Sequence, residues 1–506
     1  MSENLKDQRA ARQAERKEKK TAALAEQEKK NRRYRRNTII VIVVAVVLIV
    51  CALAINSNFF YRNTTALTIG DTKYTPAEVS FFYRSTYNSI YQSLNSQLGD
   101  MTSYILDTSK PLDEQSYPYS DDENTTWADA IAESAQQEMV NITALCDAAA
   151  KAGRTLTADE QASVESTLDL MRQYAASYGY ADVSKFLSAN YGKGVDEKLF
   201  TKLQERITLA SAYSAEIQDS FSYTPDQLSA YYAENADSLD YYAYYAYLVS
   251  SSLEEFDGLE GDALKEAMHA AAQQIVDATT DTDSFIAAVQ ALAGADTVPG
   301  IANNHPDSIG STYKDWITDP ARQPGDKTVI DTDDYSYALL FVEYDNNDYN
   351  TADFRHILFK AVADENGLYT EEALNEAKAK AEAALAEWQA NPTEDNFAEL
   401  ANSKSEDTGS NTNGGLYTDV TKHTMVPGVN AFLFDEGKAV GETGIVLGQS
   451  SGYTGYHVMY YAGQGKRNCD ILAEDALRTA DFNAKTEEIT SGYQAVEGAG
   501  LRLVKL

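Results

Sequence analysis

The sequence predicts an α+β protein: a single transmembrane helix, a helical domain, and two modules, each a small antiparallel sheet with helices, the first a degenerate copy of the second. Three observations predict it. Thr38 to Ile55 is an apolar run without a charge. Residues 57–235 carry apolar side chains at three- and four-residue spacing, the period of a helix. From residue 236 short runs rich in aromatic and branched residues alternate with helical stretches, the pattern of strands packed against helices.

The 506 residues leave room for about three domains. The formal net charge of -35 is unevenly spread. Residues 1–36 hold 13 of the 42 Lys and Arg against 6 of the 77 acids, leaving 29 bases and 71 acids for the rest. Such a body is unsuited to nucleic acid, which needs clustered Lys and Arg to neutralise phosphate. The basic leader instead ends in Arg32, Arg33, Arg35 and Arg36, directly before the apolar run. A run of that length spans a bilayer with its flanks. The positive-inside rule then expects 1–36 in the cytoplasm, 37–56 in the cell membrane, and an extracellular body after it. A cleaved signal peptide is the alternative, against which stand the long basic lead and the missing small-x-small site. Outside that run only Cys146 and Cys469 remain, too few for a stapled domain or a zinc site. Whether the two bridge stays open.

In the helical domain, 57–235, Thr68 to Tyr74 reads as a short strand or turn. Thr75-Pro76-Ala77-Glu78 starts a helix, with Thr as cap and Pro in the first turn. Residues 95–125 are polar and read as a loop. Helices follow over Trp127–Lys151, Thr157–Tyr178, Val183–Tyr191 and Asp196–Phe221, punctuated by Gly153, Gly179 and Gly192. In 236–346, strand Tyr244–Val249 is followed by helices Ala263–Val276 and Ser284–Leu292 and a closing strand Tyr337–Val342. In 347–465, strand Phe354–Lys360 precedes helix Thr370–Ala390, a short helix with Phe397 and Leu400, the Gly414-Gly415 turn, helix Val429–Phe434, and strands Gly444–Leu447 and Gly455–Tyr461. The tail, 466–506, carries a helix over Ala473–Thr490 and a strand over Leu501–Val504.

The two modules read as an internal repeat. Asp319 to Gly325 and Asp435 to Gly441 share one spacing, and the closing strands are alike. Ala338 then stands where His457 stands, and Ala246 or Tyr245 where His356 stands. The first copy lacks counterparts of Asn413-Gly414-Gly415-Leu416 and Met425-Val426-Pro427, so it keeps the fold without the chemistry.

The chemical lead is that two of the chain's five histidines, His356 and His457, sit inside apolar strands of the second copy. Around them stand Arg355-His356-Ile357-Leu358-Phe359, Phe397-Ala398-Glu399-Leu400-Ala401, Ser405-Glu406-Asp407, Asn413-Gly414-Gly415-Leu416, Met425-Val426-Pro427 and Gly455-Tyr456-His457-Val458. In that order, over about 110 residues, they resemble the parvulin family of peptidyl-prolyl cis/trans isomerases. The resemblance implies a paired-imidazole network of His356 and His457, with Asp407 facing the substrate amide. Leu416 and Met425 would line a proline slot, with a wall from Val429 to Phe434. Many members carry an aromatic where this chain has Val429, a departure for which Phe432 or Phe434 would compensate. No cofactor or metal is implied. The helical layout resembles the chaperone domain of SurA/PrsA-type foldases, whose C-terminal segment packs back on that domain. Some relatives are lipid-anchored, but Val50 precedes Cys51 where a small residue is wanted.

Two functions follow as expectations. One is a membrane-anchored extracytoplasmic isomerase and foldase for unfolded or proline-containing exported polypeptides. The other is a non-catalytic chaperone or scaffold built on the same folds. Nothing resembles a Ser-His-Asp elbow or a His-Glu-x-x-His helix, which argues against a protease. Asp345-Asn346-Asn347-Asp348 lacks the glycine and distal glutamate of a calcium loop.

Overall fold

The computed structural model describes residues 3–504 except 57, 296, 365, 366 and 436, and the side chains at 3–10, 23, 50–56 and 254 are likewise outside the description. It divides into two compact units, Met1–Phe221 with Asp481–Leu506, and Ser222–Ala480.

The first helix, α1 (Glu3–Asn56), corrects the sequence expectation. Among the described residues no helix is long and apolar enough to cross a membrane. The described apolar side chains run from Thr38 to Ile49, about 18 Å of helix against the ~30 Å of a hydrocarbon core. The transmembrane helix over 37–56, the single-pass arrangement and the extracellular placement built on it are therefore withdrawn. The reading of Cys51 falls outside the described residues.

In the first unit α2 (Phe59–Asn63) leads into a hairpin of β1 (Leu67–Ile69) and β2 (Thr72–Tyr74). Next is α3 (Pro76–Leu98), opened by a capping box. The Thr75 hydroxyl accepts from Glu78 N at 3.4 Å, and Thr75 N donates to the Glu78 carboxylate at 2.7 Å. The stretch read as loop is partly ordered by α4 (Thr102–Ile105), 3-10 turns, and a small core of Leu106, Trp127 and Ile131. Helices α5 (Trp127–Lys151), α6 (Ala158–Ser177), α7 (Val183–Tyr191) and α8 (Glu197–Ser220) bury Phe81, Phe82, Met139, Phe200 and Leu203 between them.

In the second unit α9 (Pro225–Asn235) precedes the first copy: β3 (Tyr241–Ser250), α10 (Gly261–Ala278), α11 (Thr282–Ala293), β4 (Ala302–Asn304), α12 (Lys314–Ile317), β5 (Lys327–Asp331) and β6 (Tyr335–Asp345). The second copy is β7 (Asn350–Lys360), α13 (Glu371–Gln389), α14 (Glu394–Lys404), β8 (Leu416–Val420), α15 (Pro427–Phe434), β9 (Thr443–Ser450) and β10 (Tyr453–Arg467). The strand orders correspond one to one, β4-β3-β6-β5 and β8-β7-β10-β9, all antiparallel.

Register fixes the correspondence of residues. Gly325 N donates to Phe341 O at 2.9 Å and Phe341 N to Asp326 O at 2.8 Å. In the second copy Gly441 N donates to Tyr461 O and Tyr461 N to Glu442 O, both at 2.8 Å. Phe341 therefore takes the place of Tyr461, and Tyr337, four residues earlier, that of His457. Ala246 lies opposite Leu339 as His356 lies opposite Met459, so Ala246 takes the place of His356. The expectation of Ala338 opposite His457 is off by one. Because successive side chains point to opposite faces, that slip puts Ala338 in the core under α10 and α11. The repeated run Asp435–Gly441 includes Glu436, which lies outside the described residues.

The two faces of the second sheet have different tasks. Ile357, Phe359, Val458 and Tyr460 pack with Trp388 and Phe397 of α13 and α14. Phe354, Met459 and Tyr461 pack with Val429 and Leu433 of α15. The chain ends with α16 (Asn468–Thr490) and β11 (Ala495–Glu497), which pairs with β1. The tail strand thus falls at 495–497, and Leu501–Leu503 is a 3-10 turn. Phe482, Ile489 and Tyr493 join the core of the first unit. Cys146 and Cys469 are buried free thiols.

Thr75→Ala removes the hydroxyl of the capping box while sparing the Glu78–Lys202 ion pair. Urea titration followed by circular dichroism is expected to show a loss of about 1 kcal/mol.

Candidate active site

The second sheet places His356 on β7 and His457 on β10 at diagonal positions, opposite Met459 and Leu358 respectively. Both are almost fully buried, His356 at 6% and His457 at 3% exposure, so every ring nitrogen needs a partner. The partners form one chain. His356 Nδ1 meets His457 Nδ1 at 2.8 Å, with the two rings nearly coplanar at 16°. His356 Nε2 meets Asp407 Oδ2 at 2.8 Å, and Tyr453 OH meets His457 Nε2 at 3.0 Å. Asp407 Oδ2 also accepts from Ser410 Oγ at 2.5 Å and from the Tyr417 hydroxyl at 3.0 Å. Its Oδ1 accepts from Gly409 N at 3.2 Å.

Chemistry orders the protons along this chain. The hydrogen bond from His356 holds the Asp407 carboxyl well below its usual range, aided by Ser410, Gly409 and Tyr417 against the cost of burial. An ionised carboxylate only accepts, so His356 Nε2 carries a proton. Burial first, and then the neighbouring His356, push His457 down to about 3, with Asp407 pulling the other way; His457 is neutral at pH 7. The arrangement that satisfies every atom with two neutral rings has His457 Nδ1 donating to His356 Nδ1, and Tyr453 O–H donating to His457 Nε2. Burial pushes the Tyr453 phenol up to about 12, so it keeps that proton.

Local structure holds the parts. Gly414 and Gly415 are left-handed, at φ 76° and 69°. A Cβ on Gly415 would stand 2.2 Å from His356 O, so the turn admits only glycine beside β7. It lets Gly415 O accept from His356 N at 3.0 Å. A Cβ on Gly448 would meet His457 Nε2 at 2.4 Å, so β9 is bare where the imidazole lies.

Above the chain is a cavity of about 380 Å³, lined by Phe354, His356, Leu358, Lys360, Asp407, Tyr417, Thr424, Met425, Val426, Val429, Tyr453 and His457. The structure thus brings together His356, Asp407, His457, Met425 and Val429. It does not bring Leu416, which pairs with Arg355 on the opposite sheet face; its neighbour Tyr417 stacks on Phe354 at 5.2 Å instead. Phe432 and Phe434 pack behind the wall. Phe432 lies against Lys438 Nζ at 4.1 Å, and Phe434 meets the edge of Tyr349 at 5.6 Å. Sequence reasoning missed Tyr417, Ser410 and Tyr453. Strand alternation could have found both tyrosines: Tyr453 is four residues before His457, and Tyr417 faces Phe354, two before His356.

A buried imidazole pair thus lies at the floor of a largely apolar cavity large enough for a proline ring. Residues 356–462 match the family described as Rotamase: PPIC-type PPIASE domain. The chain thus carries a parvulin-type peptidyl-prolyl isomerase domain over those residues. No curated protein matches the chain in sequence. Among solved structures it is similar to the peptidylprolyl isomerase PrsA of Bacillus cereus, at 15% identity over 58% of this chain and 85% of that one, TM-score 0.17. The foldase protein PrsA of Lactococcus lactis gives 13% identity over 69% and 97%, TM-score 0.22. A structure described under two SurA-like chaperones of Campylobacter jejuni gives 14% over 70% and 94%, TM-score 0.14.

Stability should depend on pH through His457. Its proton affinity is lowered on folding, so the stability it contributes is complete above its unfolded value near 6.5 and is lost progressively as pH falls toward about 3. The limiting slope for one proton is about 1.4 kcal/mol per pH unit. Asp407, also lowered, adds to the loss only below the ordinary carboxylate range near 4. Urea titrations between pH 6.5 and 4 should show this slope in the native chain and a shallower one in His457→Asn.

Proposed function

We propose that the chain is a foldase in which the second copy isomerises X-Pro bonds of unfolded polypeptides and the helical unit holds the client. The observation that carries this is the closed chain Tyr453–His457–His356–Asp407 under the cavity. An X-Pro amide interconverts over about 20 kcal/mol because resonance is lost on twisting. The planar amide is the more polar form, with partial negative charge on its carbonyl oxygen. Two features of this cavity disfavour it against the twisted form. The walls of Phe354, Leu358, Met425, Val426 and Val429 are apolar. The hydroxyl protons of Tyr453, Tyr417 and Ser410 are committed to His457 and Asp407, so the floor turns lone pairs and the Asp407 charge toward the substrate. His356, Asp407 and His457 are the catalytic residues in this reading. Met425 and Val429 seat the proline ring, and the first copy, with Ala246 and Tyr337 in the histidine places, has no such floor.

The holding role rests on the first unit. Met101, Tyr104 and Tyr119 lie together in sequence between α3 and α5 and are 63%, 86% and 63% exposed. Large apolar side chains left in water are surface suited to unfolded chain.

The full chain should accelerate cis/trans exchange of an X-Pro peptide in a protease-coupled or exchange-NMR assay. His356→Ala or His457→Ala should lower kcat/KM by roughly tenfold or more. A native chain no faster than the uncatalysed exchange would refute the reading. Suppression of aggregation of a denatured client, read by light scattering, should survive both histidine substitutions and fall in Met101→Ser/Tyr104→Ser/Tyr119→Ser.

A further inference from the structure

The first copy lacks the imidazole pair, yet it touches the second copy where the proline slot is built. Between β8 and α15 the chain runs through Thr421, Lys422, His423 and Thr424 to Met425 and Val426, and the last three line the cavity. This connection is not held by the second copy alone. His423 has φ 61°, a left-handed conformation uncommon for a residue with a Cβ, although histidine enters it more readily than most. Five contacts hold this connection. His423 N donates to Asn430 Oδ1 of α15 at 2.7 Å. The His423 ring, 10% exposed, places Nε2 2.7 Å from Glu343 Oε1 on β6 of the first copy. Lys422 Nζ lies 3.5 Å from the same oxygen and 4.8 Å from the centre of the Tyr349 ring, while Lys422 O accepts from Asn303 Nδ2 on β4 at 3.4 Å. The hydrogen bond from His423 lowers Glu343, whose carboxylate is half-buried, so it is an ionised acceptor and His423 Nε2 is the donor.

We infer that Glu343 is a positioning residue for the isomerase site of the other copy: through His423 and Lys422 it holds the left-handed turn that delivers Thr424, Met425 and Val426 to the proline slot. Glu343 touches neither substrate nor imidazole. It acts on the wall that grips the proline ring, so its effect falls on substrate binding. The stripped first copy is then a brace, which gives a physical reason for the two copies to stand side by side in one compact unit. This rests on the isomerase reading of the cavity.

The test uses the full chain. In steady-state isomerisation of an X-Pro peptide, Glu343→Ala is expected to raise KM about tenfold with kcat within about twofold, and Glu343→Gln, which keeps an oxygen for His423, to recover most of the loss. His423→Gly keeps the left-handed backbone but drops the imidazole. It leaves the Lys422 link in place, so it should raise KM by no more than Glu343→Ala does, and the double variant should be no worse than Glu343→Ala, as expected of residues that share a contact. An unchanged KM in Glu343→Ala, additive effects in the double variant, or a loss confined to kcat would overturn the inference. If the native chain proves inactive, the isomerase reading fails separately, and the brace is read from the Met425 methyl resonance. That signal should shift or broaden in both Glu343→Ala and His423→Gly and return in Glu343→Gln. An unmoved Met425 methyl would overturn the brace, whatever the activity. Equal melting temperatures of native chain and Glu343→Gln show that the recovered variant is folded.

Discussion

Two imidazoles buried side by side on one sheet face are the constraint that the rest of the site obeys. A buried ring nitrogen without a partner costs on the order of 1–3 kcal/mol, and four of them stand within a few ångströms of one another here. One solution satisfies all four with no net charge on the rings: a hydroxyl at one end, a carboxylate at the other, and every proton pointing the same way. Tyr453 and Asp407 are those ends. The neighbouring parts follow. Ser410, Tyr417 and Gly409 saturate Asp407, Gly448 makes room for His457, and the Gly414-Gly415 turn brings Gly415 O to His356 N.

The same constraint explains what the two copies share. Their strand order and their Gly–Asp and Gly–Glu closures are alike because the sheet and its two packed faces need them. Where the second copy has two imidazoles, the first has Ala246 and Tyr337. Tyr337 meets Tyr313 edge-on at 5.2 Å, and Tyr313 meets Tyr244 at 5.8 Å. Aromatic packing needs no matched donor and acceptor set, so the carboxylate, the serine and the paired glycines have no task there. The copy keeps its core and its contact with the loop ahead of α15.

Most of this was legible in the sequence where side-chain chemistry is distinctive, and less where the period of a strand decides. His356, His457 and Asp407 could be named because two histidines in apolar strands and an acid in a glycine-rich loop are unusual together. Leu416 was named and Tyr417 overlooked, and Ala338 named for Tyr337, for one reason. A strand turns alternate residues to opposite faces, so an alignment correct to one residue still assigns the wrong face. The cross-strand pairs Phe354–Tyr417 and Tyr461–Phe354 settle it in the structure. The tail strand was misplaced because its partner, β1, lies over 400 residues earlier in sequence. Ala495–Glu497 has no pattern of its own, with Val496 exposed and only three residues to read. The membrane span shows the opposite limit. Composition alone invited it, and the described part of the helix does not reach the required length.

The account stands most directly on where the protons sit along the chain. Long-range nitrogen–proton correlation spectra of the histidine rings at pH 7 report each tautomer. They should show His356 protonated at Nε2 and bare at Nδ1, and His457 protonated at Nδ1 and bare at Nε2. A doubly protonated ring at either position, or His457 carrying its proton on Nε2, would contradict it.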